Sequence, residues 1–313
     1  MATARRTRRV ALGAPSLEQT VGGRTVLITG ASSGIGRAAA LQLGDAGADV
    51  VLVARTREKL EEVAAEIAEA GGSASVHPCD LADPDDIERM AAEVLEAHGG
   101  VDILINNAGR SIRRSIELSY DRLHDFERTI QVNYLAPVNL VLKFLPGMRE
   151  RRGGHIINIS SIGVQTNTPR FSAYVASKAA LDAFSRSIAS EIVGDGVRIT
   201  TIHMPLVRTP MIEPTKIYRD FPAISPDEAG AMICDAIIDR PKRVATPLGN
   251  LGQLAYAVSP SSMDAVLNRA YRLFPDSRAA RGKATPEAAP EDVTEAVSEE
   301  AQAFARITRG VHW

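Results

Sequence analysis

Thr25-Val26-Leu27-Ile28-Thr29 running into Gly30-Ala31-Ser32-Ser33-Gly34-Ile35-Gly36 is the stretch on which the fold turns. Its first five residues, aliphatic or β-branched, read as a strand. The three glycines read as a tight turn, and helical spacing of Ala and Leu begins at once over 34–46. A turn stripped of side chains lets backbone N–H groups approach a pyrophosphate, and the helix behind it offers the positive end of its dipole. Alone, such a turn is no more than a helix start. After the first strand of a parallel α/β domain it reads as a dinucleotide cradle made of Gly30, Ser32, Ser33, Gly34, Ile35 and Gly36.

Working outward, the same alternation repeats. Further strands are predicted at 49–54, 74–78, 101–105, 154–159 and 197–203, with a seventh at 242–246, and helices at 56–70, 84–98, 120–150 and 172–193. Near-continuous apolar runs such as Val50 to Val53 suit strands covered on both faces. The expected fold is therefore α/β: a single Rossmann-type, doubly wound parallel sheet with helices on both faces and a C-terminal helical extension. A length of 313 residues would permit two domains, but no linker interrupts the alternation before residue 275. The expected division is a flexible basic tail over 1–20, one dinucleotide-binding catalytic domain over 21–250, and a partly mobile extension over 251–313. Asp276 to Ala289, rich in Ala, Arg, Pro and Glu, reads as a surface connection, and Phe304 to Trp313 regains some apolar character.

Composition narrows the class. A net charge of -2 gives no footprint for nucleic acid, which needs a strong basic excess or patch. Arg5, Arg6, Arg8 and Arg9 precede no secretory apolar run and read as a solvated tail. No stretch reaches the ~20 apolar residues of a membrane span; the most apolar helix, Pro137 to Met148, is interrupted by Lys143. Cys79 and Cys234 are too few for a disulfide framework and lack metal-ligand spacing, so no metal is expected and a reducing cytoplasm fits.

The end of the second strand selects the cofactor, because a carboxylate there would hold the adenosine 2′-hydroxyl and repel a 2′-phosphate. Ala54 followed by Arg55, with Arg57 close behind, favours NADP(H). Asp80, after the third strand, is a candidate partner for the adenine amino group, though an Asp opening a turn is common. At the other end, Tyr174 and Lys178 are four apart on a helix and share a face. A phenol titrating near ~10 becomes a useful proton donor when a neighbouring cation lowers its pKa. Ser160 and Ser161 close the strand 154–159, at the sheet edge where ligands bind. Asn106, Asn107, Ala108, Gly109 and Asn133 sit at element ends too, where turn formation is their ordinary role.

TGASSGIG at 29–36, NNAG at 106–109, Asn133, Ser161 and YVASK at 174–178 resemble, in order and spacing, the short-chain dehydrogenase/reductase family. The resemblance implies that Tyr174 is the general acid/base. Lys178 would bind the ribose hydroxyls and lower the tyrosine pKa, Ser161 would position a carbonyl, and Asn133 would help hold a water-linked proton relay. It also implies Asn107 at the cofactor and a homodimer or homotetramer joined through helices 120–150 and 172–193.

NNAGRSIRRSIE at 106–117, DRLHDFERT at 121–129 and MPLVRTPMIEPTKIY at 204–218 are similar to the bacterial aldehyde-forming fatty acyl-CoA reductases of that family. Met204-Pro205 stands where most members have Pro-Gly, a departure shared with this group. The implied reaction is NADPH-dependent reduction of a long-chain acyl-CoA thioester to the aldehyde. Direct hydride attack without a cysteine acyl-enzyme is expected, since Cys79 and Cys234 fall outside the serine-tyrosine cluster. Arg113 or Arg114 is a candidate for a CoA phosphate, a solvated loop being the alternative. Met211, Ile212, Ile217, Tyr218 and Phe221 read as an acyl channel or as a packing surface, and 251–274 as its cap or as a peripheral membrane contact. Two rival readings are a ketoreductase or hydroxysteroid-type dehydrogenase acting on a lipid-like ketone or 3-oxoacyl group, and a non-catalytic dinucleotide-binding scaffold.

Overall fold

β1 (Thr25–Thr29) lies inside a seven-stranded sheet with β2 (Asp49–Ala54), β3 (Ser73–Pro78), β4 (Ile103–Asn106), β5 (Gly154–Ser161), β6 (Val197–Met204) and β7 (Arg243–Val244). The computed structural model describes residues 15–212 and 221–273, with Asp276 and Ala280. Strand order is β3-β2-β1-β4-β5-β6-β7, and every pairing is parallel. β1 neighbours both β2 and β4, so the winding reverses beside it and opens a crevice at the carboxyl ends of the strands.

Alternation along the strands builds two cores. Val26 and Ile28 of β1, Val50 and Leu52 of β2, and Ile103 and Ile105 of β4 face α2 (Gly34–Asp45), α3 (Arg57–Glu69) and α9 (Pro226–Asp239). Leu27, Val51, Val53 and Leu104 face α4 (Pro84–His98) and α6 (Ala136–Glu150), with Phe184 and Ile188 of α8 (Ser172–Ile192) packed alongside. Burial of each such side chain contributes about 1.5–3 kcal/mol, which is why the strands read as apolar runs without a polar face.

Helix ends follow their capping residues. Asp83 accepts from Asp85 N at 3.0 Å with Pro84 opening α4, and Gly99, at φ 67°, ends it. Ser225 and Glu228 form a capping box on α9. A second capping box, Ser16 with Gln19, starts α1 (Leu17–Val21), so ordered helix occupies the end of the stretch read as a basic tail.

Other departures are local. The helix expected over 120–150 is α5 (Leu123–Ile130), a π turn (Gln131–Leu135) and then α6, preceded by a 3-10 turn at Ile116–Ser119. Apolar periodicity does not register a single i→i+5 turn, although such turns gather at functional sites. β4 begins two residues later than expected, and β7 is two residues long. The extension contributes α10 (Pro247–Val258) and α11 (Pro260–Leu273). No helix among the described residues is long and apolar enough to cross a membrane.

Candidate active site

The strand ends and the loops beyond them enclose a cleft of about 1080 Å³. Its nucleotide end is the turn after β1. Gly30 (φ 68°) and Gly34 (φ 55°) adopt left-handed backbone that L side chains rarely reach. Gly30, Ser32, Ser33, Gly34 and Ile35 line the cleft. Gly36 does not: a Cβ there would lie 2.3 Å from Gly30 O, so it serves the close packing of α2 under the turn instead of meeting a ligand.

Beyond β2, Ala54, Arg55, Thr56 and Lys59 line the wall. Arg57 turns away and pairs with Glu61 at 3.7 Å. Lys59 was not singled out from the sequence, yet it falls in the first turn of α3, beside the strand end that selects the cofactor. With no carboxylate at the end of β2, this wall fits a phosphate-bearing adenosine. Asp80 also lines the cleft, with Oδ1 accepting from Ala82 N at 3.0 Å. Asn107 does so while donating from Nδ2 to Thr29 O (2.9 Å) and from its main chain to Thr29 Oγ1 (3.0 Å), which ties β4 to β1.

At the chemical end, three elements meet. Ser161 ends β5 and caps α7 (Ile162–Thr166), its Oγ accepting from Gly163 N at 3.1 Å. That leaves its own proton to give. Tyr174, in the first turn of α8, borders the cleft with Ser161, whose hydroxyl lowers the pKa of the phenol. Lys178, one turn on, is buried and donates from Nζ to Ile159 O at 2.7 Å.

The electrostatics depart from expectation. Burial first, and Asp182 second among the raising effects, push the phenol of Tyr174 up, against the lowering bond from Ser161. Lys178, expected to acidify it, is itself lowered by burial to about 8. Low dielectric disfavours both charged forms, and the result is a tyrosine held protonated, as a proton donor requires.

Asn133 is wholly buried in the π turn. Its Oδ1 accepts from Arg110 N (2.7 Å), and Nδ2 donates to Arg110 O (2.9 Å) and to Ser177 Oγ (2.9 Å). The side chain therefore clamps the loop at Arg110 onto α8 and does not line the cleft.

Burial pushes Cys79 and Cys234 up to about 12. Cys79 borders the cleft but follows β3, four strand positions from β5, or about 19 Å at the usual strand spacing.

Of the loop arginines, Arg110, Arg113 and Arg114 all line the cleft. Arg114 is committed elsewhere: it pairs with Asp125 at 3.4 Å and donates to Ala280 O. Met204, Pro205, Met211, Ile212 and Phe221 supply an apolar wall, whose base is zipped by the Val207–Ile224 bridge and by Arg208 N donating to Ile224 O at 2.9 Å. Ile217 and Tyr218 lie outside the described residues. α10 and α11 do not line the cleft; α10 packs on α7, where a Cβ on Gly252 would meet Thr166 Cγ2 at 3.2 Å. Asp276, expected in a surface connection, is instead held by Arg170 (3.2 Å), which also stacks over Tyr271.

The family model for the short chain dehydrogenase matches residues 24–218. An uncharacterized oxidoreductase of Mycobacterium tuberculosis is 56% identical over 301 residues, 95% of this chain and 87% of that protein. A fatty acyl-CoA reductase of Acinetobacter baylyi is 52% identical over 295 residues, covering 94% and 97%. Among solved structures, a metagenomic short-chain oxidoreductase in complex with NADP superposes with a TM-score of 0.64 at 36% identity, covering 72% of this chain and 98% of its own.

Proposed function

The chain belongs to the short chain dehydrogenase family, and from that premise we propose that it reduces a long-chain fatty acyl-CoA to the fatty aldehyde, with NADPH as reductant. The turn from Gly30 to Ile35 would hold the pyrophosphate, Arg55 and Lys59 the 2′-phosphate, and Asp80 the adenine. Asn107 and Lys178 would hold the nicotinamide ribose. NADPH, when bound, supplies the hydride for the carbonyl carbon.

The residues of the chain supply the rest. Ser161 donates a hydrogen bond to the thioester oxygen, on which the π electrons settle as the carbon is reduced. Tyr174 gives that oxygen its proton and leaves a neutral thiohemiacetal. As the C=O bond re-forms, the C–S bond breaks, the sulfur departs with its electron pair, and the hydroxyl proton ends on the thiol. Free CoA and aldehyde leave. The main chain of Asn133 would link Lys178 to solvent for reprotonation of the phenol. The sequence-based expectation of direct attack is kept, because a thiol at about 12 is not a nucleophile at pH 7.

The observation that carries this reading is that Ser161 and Tyr174 share one cleft with the apolar wall of Met204, Pro205, Met211, Ile212 and Phe221. The 52% identical reductase supports the same substrate class. The test is NADPH and NADH oxidation against an acyl-CoA series with thiol, aldehyde and alcohol all quantified. NADPH consumption matched by thiol and aldehyde is the expected result. Turnover of a lipid-like ketone with no thiol released from palmitoyl-CoA would replace the thioester reading with the ketoreductase one.

A homo-oligomer and a cytoplasmic setting belong to the same proposal. Leu123, Leu135 and Leu142 are exposed on the helices expected to meet a second copy, and both cysteines are free and buried. Leu251, Leu254, Val258 and Val266 leave apolar surface on α10 and α11 for a peripheral lipid contact, which flotation with anionic vesicles would test.

A further inference from the structure

The charges along the cleft are unbalanced. Its lining holds Arg55, Lys59, Arg110, Arg113, Arg114, Arg128 and Lys178 against one carboxylate, Asp80. Such a wall recruits anions, and the low-dielectric sides of a cleft strengthen the field. Not all of these cations serve one ligand. Arg55 and Lys59 stand beyond β2, beside the turn that would take the dinucleotide phosphates. Lys178 is buried against Ile159 O, and Arg114 is bound to Asp125 and Ala280.

Arg110 and Arg128 differ from all of these. Both are exposed, both line the cleft, and neither makes an ion pair among the described residues. They lie past β4, on the side of Lys178 and Tyr174, away from the 2′-phosphate wall. Their positions are also fixed from one point. Asn133 grips the main chain of Arg110 at both its N–H and its C=O, and Arg128 lies in the last turn of α5, directly before the π turn that carries Asn133. Two guanidinium groups are thus presented from rigid backbone at the entrance to the acceptor half of the site. On the reading above, the reductant's own phosphates fall to the turn after β1, Arg55 and Lys59, so the anion expected here belongs to the hydride acceptor.

We propose that Arg110 and Arg128 form the subsite for the phosphate groups of coenzyme A, holding the nucleotide end of the thioester at the mouth of the cleft while the acyl chain runs along the wall of Met204, Met211, Ile212 and Phe221. The inference rests on the thioester reading above and moves the expectation for Arg113 or Arg114 to two other arginines, the guanidinium of Arg114 being spent on the fold while Arg113 stays on the cleft wall. A guanidinium on phosphate is a charge-assisted, directional bond that a lysine reproduces only as a point charge.

The test compares acyl-CoA with the N-acetylcysteamine thioester of the same acid, which has the same reacting carbonyl and no phosphate. In Arg110→Ala and Arg128→Ala the ratio of kcat/KM for acyl-CoA over kcat/KM for the short thioester should fall about tenfold or more each, as loss of one charge-assisted bond implies. Arg110→Lys should recover part of that ratio. Calorimetry gives a second readout, in which the Kd of free CoA should rise in both variants while the Kd of NADPH stays within about twofold. An unchanged ratio with unchanged CoA affinity, in a wild type that does release thiol from both thioesters, overturns the subsite alone. A rise in the NADPH Kd instead assigns the arginines to the reductant and also overturns it. Wild-type enzyme that releases thiol from neither thioester overturns the functional reading and this inference with it.

Discussion

Asp182 and His203 meet one helical turn past Lys178: His203 Nε2 lies 2.7 Å from Asp182 Oδ2, with both side chains buried. Asp182 is one helical turn past Lys178 and raises its pKa, against the burial that brings it down to about 8. It raises the pKa of Tyr174 as well. Removing the carboxylate charge with Asp182→Asn should therefore lower both, so the alkaline limb of kcat for reduction moves to lower pH. Loss of one buried bond also costs about 1–3 kcal/mol of stability, which a denaturant titration reports separately. An alkaline limb that stays in place, or moves upward, removes Asp182 from the tuning of the site.

This pair shows what the sequence could and could not say. Positions 29–36, 106–109, 161 and 174–178 announce the site because their spacing is local, set by a turn, a strand end and one helical turn. The sheet was legible for the same reason, since runs such as Val50 to Val53 state their double-sided burial directly. Asp182 and His203 are 21 residues apart and meet only because β6 passes beneath α8. The clamp of Asn133 on Arg110 spans 23 residues and depends on a π turn that periodicity hides. The sign of the shift at Tyr174 was beyond reach as well, because it follows from burial, which sequence spacing does not measure.

Tyr174→Phe removes the proton donor and leaves the cleft wall almost unchanged in shape. kcat should fall about 10²–10⁴-fold, the range of a lost general acid. NADPH binding, followed by its fluorescence, should persist. Ser161→Ala should cost about 10²–10³ through the loss of one oxyanion donor. Turnover at the wild-type rate in the phenylalanine variant would end the assignment of Tyr174.

Arg55 and Lys59 share the adenosine wall, four residues apart. Arg55→Ala should raise KM for NADPH about tenfold or more, with little change for NADH, because only the former carries the 2′-phosphate. Lys59→Ala should do the same to a smaller extent. Arg55→Asp, which restores the missing carboxylate, should turn preference toward NADH. Steady-state constants for both nucleotides decide the matter, and equal losses for NADPH and NADH would place the guanidinium elsewhere.

Cys79→Ser combined with Cys234→Ser tests direct hydride attack. Both thiols are buried and pushed up to about 12, so the thiolate fraction at pH 7 is negligible. The double variant should keep kcat within about threefold of wild type, and rapid-quench samples of wild type with radiolabelled acyl-CoA should contain no acylated protein. Inactivity in a variant that is folded by circular dichroism would argue for a covalent acyl-enzyme.

Arg170 and Arg114 fasten the chain that follows α11. Arg170 stacks on the Tyr271 ring at 3.9 Å, donates to Tyr271 O at 2.8 Å and pairs with Asp276 at 3.2 Å. Ser115 N adds a bond to Asp276 Oδ1 at 3.0 Å, and Arg114 donates to Ala280 O, a buried residue that lines the cleft. Arg170 is nearly enclosed, so its truncation leaves the Asp276 carboxylate without a counter-charge and with only the Ser115 N–H bond, a loss of about 3–5 kcal/mol. Its first effect should be local: release of the strap from the body, with faster amide exchange over 266–273 and a new cleavage site for added protease. Because Ala280 forms part of the cleft wall, Arg170→Ala should raise KM for the acyl substrate more than it lowers kcat, while the milder Asp276→Asn should give a smaller change in the same direction. Exchange rates over 266–273 identical to wild type in Arg170→Ala would show that the stacking and the ion pair do not hold this strap in place.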